Sequence, residues 1–302
     1  MRRSHAILLL AVVTVLSAAV ALSAERTFEK KFPATPGGTL TVRIDVGTVE
    51  VTGTSGNEVS ILGQIRGRER DINDFDIAAE KTSSGVELHG KVPGSRHWFW
   101  NNADLDAKFT IQVPKKYDLR IETSGGDISV TAVQGKMEGE TSGGNLSLND
   151  VEGNVDLETS GGNIRAEKVR GMVHMETSGG NINIVSATGD VDVSTSGGSI
   201  KISEVDGKIK AETSGGDVVV KARNAGKGIF AETSGGDIDI YVSKDVAANI
   251  DASTSGGEVE CEFPITMKGK IDESRVRGAI NGGGNTIHAH TSGGNVRIRP
   301  LD

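Results

Sequence analysis

The tetrapeptide Thr-Ser-Gly-Gly begins at Thr123, Thr141, Thr159, Thr177, Thr195, Thr213, Thr233, Thr254 and Thr291, and its first five intervals are all 18 residues. The later intervals are 20, 21 and 37. When a unit is numbered from its Thr, apolar residues fall at positions 6, 8, 11, 15 and 17, as at Ile182, Ile184, Ala187, Val191 and Val193. Positions 6 and 8, and again 15 and 17, alternate with polar neighbours, which is the periodicity of a strand. A second glycine recurs at position 13, in Gly135, Gly153, Gly171, Gly189 and Gly207. Each unit therefore predicts two short strands separated by glycine turns, the glycines at positions 3, 4 and 13 supplying positive φ and close approach between coils. One such unit cannot bury its apolar face, so the units must stack. The expected fold is all-β, a single β-solenoid (β-helix or β-roll-like) of 18-residue coils with capped ends. Roughly eight to ten coils at a strand spacing of about 4.8 Å would give a rod of about 40–50 Å.

The flanks read differently. Residues 1–24 carry the marks of a signal peptide, with Arg2 and Arg3 ahead of an uncharged run from Ala6 to Leu22 and small residues suited to cleavage after Ala21 or Ala24. That run is slightly short for a spanning helix, which needs about 20 apolar residues, and no second run of its kind follows. After cleavage no transmembrane span is expected, and the chain belongs in the periplasm or at the cell surface. Residues 25–122 predict degenerate β coils and a cap, 123–257 the regular solenoid, and 258–302 irregular C-terminal coils and a cap. Open solenoid ends expose unpaired strand edges, which is why caps are expected.

Composition narrows the function classes. Of 302 residues 41 are glycine and only 6 proline, which excludes a collagen-like chain. Hydrophobic residues at 36% exclude a chain disordered by composition. The single cysteine, Cys261, excludes an internal disulfide framework and a cysteine-based zinc site. The formal charge is −8, and −10 once the two arginines of the leader are gone, so nucleic acid is not an expected partner.

The segment Val113-Pro114-Lys115-Lys116-Tyr117-Asp118-Leu119, running into Glu122-Thr123-Ser124-Gly125-Gly126-Asp127-Ile128, resembles the bacterial family called "putative adhesins", or domain of unknown function 4097. Pro36-Gly37-Gly38-Thr39-Leu40-Thr41-Val42 fits the same pattern, as do Asn281-Gly282-Gly283-Gly284 and Thr291-Ser292-Gly293-Gly294-Asn295-Val296. The likeness covers about residues 28 to 301. It implies an exported β-solenoid with no established catalytic residues.

The Ser-Gly-Gly-Asn/Asp turns have the nine-residue half-period of calcium-binding solenoids, but the ligand positions hold Ile164, Ile182, Ala166 and Ile184. Turn geometry explains them better, and no Gly-Lys-Ser/Thr suggests a nucleotide loop. Position 18 sets Glu122, Glu140, Glu158, Glu176, Glu212 and Glu232 in one outward column, interrupted by Ser194 and Ser253. The column reads as a solvated face, with cation binding as the alternative. His288 and His290 share one side of a predicted strand and form a weak candidate metal pair, with Asp272 or Asp251 as third ligand; an exposed polar pair is the simpler account. Cys261 falls at inward position 8, the place of a small core residue. Arg96-His97-Trp98-Phe99-Trp100 holds both tryptophans, and Trp98, Phe99 and Trp100 are the ligand-binding candidates. They would either plug the open end of the solenoid or form a stacking platform.

No His, Ser, Cys and Asp combination builds a nucleophilic site, and a repeated surface spreads its chemistry evenly. The expectation is a non-enzymatic exported solenoid without cofactor, offering a rigid surface for adhesion or envelope scaffolding. Its partner would be a cell-envelope or surface glycan, or an envelope protein. The alternatives are a periplasmic interaction partner in envelope-stress sensing and, behind it, a polysaccharide-acting β-helix enzyme.

Overall fold

A computed structural model describes residues 24–93, 105–223, 227–267 and 273–301. Within them lie 26 strands, numbered in chain order, and one short helix, α1 (Glu69–Asp74). The strands form two sheets of 13 strands each among the described residues. In the regular part every unit gives one strand to each sheet, as in β15 (Ile182–Ile184) and β16 (Val191–Thr195). Neighbouring coils pair in parallel and in register, so Ile164, Ile182 and Ile200 lie side by side.

The alternation read from sequence is the alternation of burial. Ile182, Ile184, Val191 and Val193 face inward and are buried between the sheets, each such side chain contributing about 1.5–3 kcal/mol. Position 11 is buried as well, at Val133, Val151, Val169, Ala187 and Val205. The strand carrying it bends first. Position 10 is left-handed without being glycine at Ala132 (φ 59°), Asp150 (54°), Lys168 (53°) and Glu204 (49°). No local signal marks this bend, because the residues there are ordinary; stacking on both sides imposes a conformation that costs about 1–2 kcal/mol per residue.

The Thr-Ser-Gly-Gly corner is held by a ladder. Each motif Thr is buried. The Thr177 hydroxyl donates to the Gly162 carbonyl of the preceding coil (2.9 Å) and accepts from the Gly180 N–H of its own turn (3.2 Å). A second ladder runs along position 5, where the Asn145 side-chain oxygen accepts from the Asn163 N–H (2.9 Å) and that of Asn163 from the Asn181 N–H (2.8 Å). These bonds close the backbone groups that a tight corner leaves open.

The glycines divide by position. At position 4 a Cβ on Gly162 would lie 1.8 Å from the Gly144 carbonyl oxygen, so close stacking excludes any side chain. At position 13, Gly153 and Gly171 combine positive φ (139° and 150°) with equally close approach. Position 3 differs from the sequence expectation: a Cβ on Gly161 would meet nothing nearer than 3.7 Å, and its φ is not left-handed. Nothing in the structure explains glycine at Gly161, whereas at Gly256 a Cβ would come within 3.1 Å of the Ser292 carbonyl oxygen.

The coils do not stack in chain order at either end. β2 (Gly38–Ile44) and β3 (Thr48–Thr54) lie between β6–β7 (Gly85–Lys91, Leu105–Pro114) and β8–β9 (Tyr117–Thr123, Ile128–Thr131). At the other end β25 (Asn285–Thr291) and β26 (Val296–Pro300) sit between β20–β21 (Ile229–Thr233, Ile238–Val242) and β22–β23 (Ala248–Thr254, Val259–Cys261). The threonine ladder crosses this transposition unbroken: Thr291 donates to the Gly236 carbonyl (2.8 Å) and Thr254 to the Gly294 carbonyl (2.7 Å). Antiparallel strands flank both ends. β1 (Ala24–Pro33) pairs β4 (Glu58–Gly67), β5 (Asp76–Lys81) pairs β6, and β24 (Arg275–Ile280) pairs β22.

Candidate functional site

The outer face of the second sheet, where it meets the Thr-Ser-Gly-Gly corner, holds the most regular chemistry on the molecule. Pairing register aligns Glu122, Glu140, Glu158, Glu176, Ser194, Glu212 and Glu232 across neighbouring strands. Because the C-terminal coil is transposed, His290 and then Ser253 continue the column. Adjacent members sit about one strand spacing apart, near 4.8 Å. Beside them runs a row of exposed serines from position 2 of each unit. Between column and row lies an open groove of about 400 Å³ crossing several coils, lined by Glu158, Glu176, Glu212, Glu232, Ser214 and His290 among others.

The carboxylates differ in their partners. Glu122 pairs with Arg43 (3.2 Å), Glu176 with His174 (3.4 Å), Glu212 with Lys210 (2.7 Å) and Glu232 with His288 (3.1 Å). The Glu212 carboxylate, and then Asp192, hold the Lys210 ammonium above its ordinary range. In the adjoining column Lys136 and Arg120 hold the Glu138 carboxyl below its ordinary range. Most of these side chains are half-exposed, where a single pair contributes about 0–1 kcal/mol.

The two histidines are placed on one side of β25, as their spacing predicts, but they do not converge on a metal. The His288 Nε2 faces the Glu232 carboxylate at 3.1 Å while its ring stacks on Phe230 at 4.8 Å between centroids. The His290 Nδ1 faces the Ser253 hydroxyl at 3.0 Å. Asp251, one proposed third ligand, is taken by the Arg277 guanidinium through two bonds of 2.8 and 2.9 Å, which holds its carboxyl low. Asp272, the other, lies outside the described residues. Among the described residues no group of three His, Cys, Asp or Glu side chains could hold a metal ion.

Cys261 is only half-buried, because β23 is the last strand of its sheet among the described residues. Burial still pushes its thiol upward, which keeps it protonated and weakly nucleophilic. Trp98, Phe99 and Trp100 lie outside the described residues.

Two features escaped the reading of the sequence. Residues at positions 14, 15 and 16 border a shallow groove of about 480 Å³, in which Met172, 57% exposed, stands among charged and polar neighbours such as Lys136, Asp190 and Lys208. The visible signal was a methionine at an outward position otherwise held by polar residues. The second is the basic C-terminal coil, whose place beside Glu232 follows from stacking order and not from spacing.

Comparison with solved structures finds folds of similar extent at low identity. A "putative adhesin" from Parabacteroides distasonis is 12% identical, covers 91% of this chain and 97% of its own, and has a TM-score of 0.44. A "putative adhesin" from Bacteroides fragilis is 13% identical over 90% of this chain and 97% of its own, with a TM-score of 0.43. A "putative lipid binding protein" from Parabacteroides distasonis is 15% identical over 91% and 97%, with a TM-score of 0.41. No curated protein matches the chain. The sequence profile of one family runs over residues 26–299, almost the whole length from the first strand to the last, and the chain therefore belongs to the Toastrack DUF4097 family.

Proposed function

We propose that the protein is a non-enzymatic, exported β-solenoid whose outer face serves adhesion to, or scaffolding of, the cell envelope. One observation carries this reading: the same outward groups recur in register on coil after coil beside a continuous groove. An extended partner laid along that groove meets the same contact at every step of about 4.8 Å, so weak contacts add along its length. Repetition without one differentiated cleft is poorly suited to catalysis. The titratable groups that depart from ordinary behaviour fit this view. Glu138, Lys210, Asp237, Asp251 and the arginines do so through ion pairs and hydrogen bonds, and Tyr117 and Cys261 through burial.

The partner expected on charge is a neutral or amine-bearing surface glycan, since a row of carboxylates repels polyanions. Export rests on the character of residues 2–24, and no described helix is long and apolar enough to cross a membrane. The exposed Met172 groove favours a second reading, an envelope protein as partner.

The test is co-sedimentation of residues 25–302 with isolated cell envelope and with insoluble polysaccharides, alongside a Glu158→Gln/Glu176→Gln variant and a Trp98→Ala/Trp100→Ala variant. Binding lost with the carboxylates places adhesion on the groove, and binding lost with the tryptophans places it at residues 98–100. Retention by envelope alone, abolished by Met172→Glu, favours the protein partner. Release of reducing ends from any polysaccharide would overturn the non-enzymatic reading.

A further inference from the structure

The transposed C-terminal coil differs in charge from the coils that enclose it. Residues 285–301 contain Arg297, Arg299, His288 and His290 and no acid at all. The coil on one side presents Glu232, Asp237 and Asp239, and the coil on the other Asp251, Glu258, Glu260 and Glu262. Register places Arg297 between Asp239 and Glu260, and His288 between Phe230 and Asp251. The contacts follow: Arg297 reaches Asp237 (2.8 Å) and Asp239 (3.5 Å) on one side, and Arg299 reaches Glu260 (3.0 Å) and Glu262 (2.9 Å) on the other. His288 adds its contact to Glu232.

The hydrogen-bond ladders do not require this order. Thr254 and Thr291 carry the same motif, and each uses its hydroxyl in the same way on the coil before it. Glu258 and Asn295 likewise each donate a backbone N–H to the side-chain oxygen of the preceding coil's position-5 residue (3.0 and 2.8 Å). In shape and hydrogen bonding, coil 248–261 could sit directly on coil 229–242. Charge is what differs: that stacking would set Glu260 beside Asp239 and Glu258 beside Asp237, and like charges opposite one another on neighbouring strands are destabilising. The N-terminal transposition has a related feature, since Arg43 of the enclosed β2 bonds Glu87 on one side (2.9 Å) and Glu122 on the other (3.2 Å).

We propose that the C-terminal coil is a charge-keyed insert: its basic side chains select the slot between two acidic coils, and the stacking order of the last three coils is set by charge and not by the repeat. The chain thus holds a bistable end, in which coil 248–261 or coil 285–301 can occupy the seat on β20–β21.

Cysteine pairs read the two arrangements in a full-length Cys261→Ser chain. Glu232→Cys/His290→Cys joins immediate neighbours, about 4.8 Å apart and within disulfide reach, while Glu232→Cys/Ser253→Cys spans two steps, about 9.6 Å and beyond it. The parent should therefore oxidise through the first pair alone. Exchanging the charges, with Glu260→Arg, Glu262→Arg, Arg297→Glu and Arg299→Glu, should reverse this, raising the second disulfide at least fivefold and lowering the first by as much. If the exchanged chain does not fold, the version with glutamine at all four positions should give both disulfides. The proposal is overturned if the folded exchanged chain, or the neutral chain, still oxidises only through 232 and 290 with undiminished yield.

Discussion

Gly161 and Gly162 are adjacent, chemically identical and predicted to respond oppositely to the same change. Gly162→Ala would place a Cβ 1.8 Å from the Gly144 carbonyl oxygen and 2.4 Å from its carbonyl carbon. Both obstacles are backbone in a coil stacked on both sides, so the corner must open by more than an ångström. Opening it strains four bonds: Thr159 to the Gly144 carbonyl (2.9 Å), Gly162 N–H to Thr159 (3.3 Å), Thr177 to the Gly162 carbonyl (2.9 Å) and Asn163 N–H to Asn145 (2.9 Å). At about 1 kcal/mol net per bond, the expected loss is about 4 kcal/mol. Gly161→Ala meets only ordinary contacts at 3.7 and 4.0 Å. It should leave stability unchanged or raise it by about 0.4–1 kcal/mol, because alanine restricts the unfolded chain. Urea unfolding followed by circular dichroism reads both, and the difference should be about 4–5 kcal/mol. A difference under about 1 kcal/mol would refute the argument that coil-to-coil contact dictates the position-4 glycine.

The threonine ladder predicts that Thr177→Val, which keeps the shape and removes the hydroxyl, leaves the Gly162 carbonyl and the Gly180 N–H without their partner. It should cost about 2–4 kcal/mol in urea unfolding, whereas Thr177→Ser keeps both bonds and should cost about 1 kcal/mol for the lost methyl group. Acid should weaken the fold through three carboxyls held below their ordinary range: Glu138 by Lys136 and Arg120, Asp237 by the Asn295 N–H and Arg297, and Asp251 by Arg277. A carboxyl lowered on folding contributes its stability above the unfolded pKa, near 4, and loses it as the pH falls through the folded value. The melting temperature should therefore be level between pH 5 and 7 and decline below about pH 4, and Asp251→Asn should make that decline shallower.

The parts of this fold that were legible in the sequence are those governed by spacing. Eighteen residues from Thr159 to Thr177 fix the length of a coil, and the alternation at Ile182, Ile184, Val191 and Val193 fixes its inner face, because burial on a strand has a period of two. The glutamate column followed from the same arithmetic. Spacing does not say which coil is the neighbour. Residues 258–302 read as irregular coils and a cap, and the 37-residue interval from Thr254 to Thr291 carries no spacing that tells where the last coil goes. The bend at Ala132, Asp150, Lys168 and Glu204 was illegible because stacked neighbours impose it on residues without a local preference for it. The histidine pair was placed on the correct side of its strand, but what each ring faces depended on the transposition. Close approach between coils calls for glycine at positions 4 and 13, and the structure gives the glycine at position 3, Gly161, no such role.

The uniformity of the regular coils has a consequence for how such a chain can change length. Each interior coil donates to the coil before it what the coil after it donates in turn: Thr177 donates to the Gly162 carbonyl, and the Gly180 carbonyl of the same coil accepts from Thr195. Excision or duplication of one whole 18-residue unit would therefore rejoin matching surfaces, shifting the distance between the two ends of the stack by about 4.8 Å while leaving both ends unchanged. The molecule is in this sense a ruler graduated in coils, and the span across which it holds its two ends apart is adjustable by recombination in steps of a single repeat.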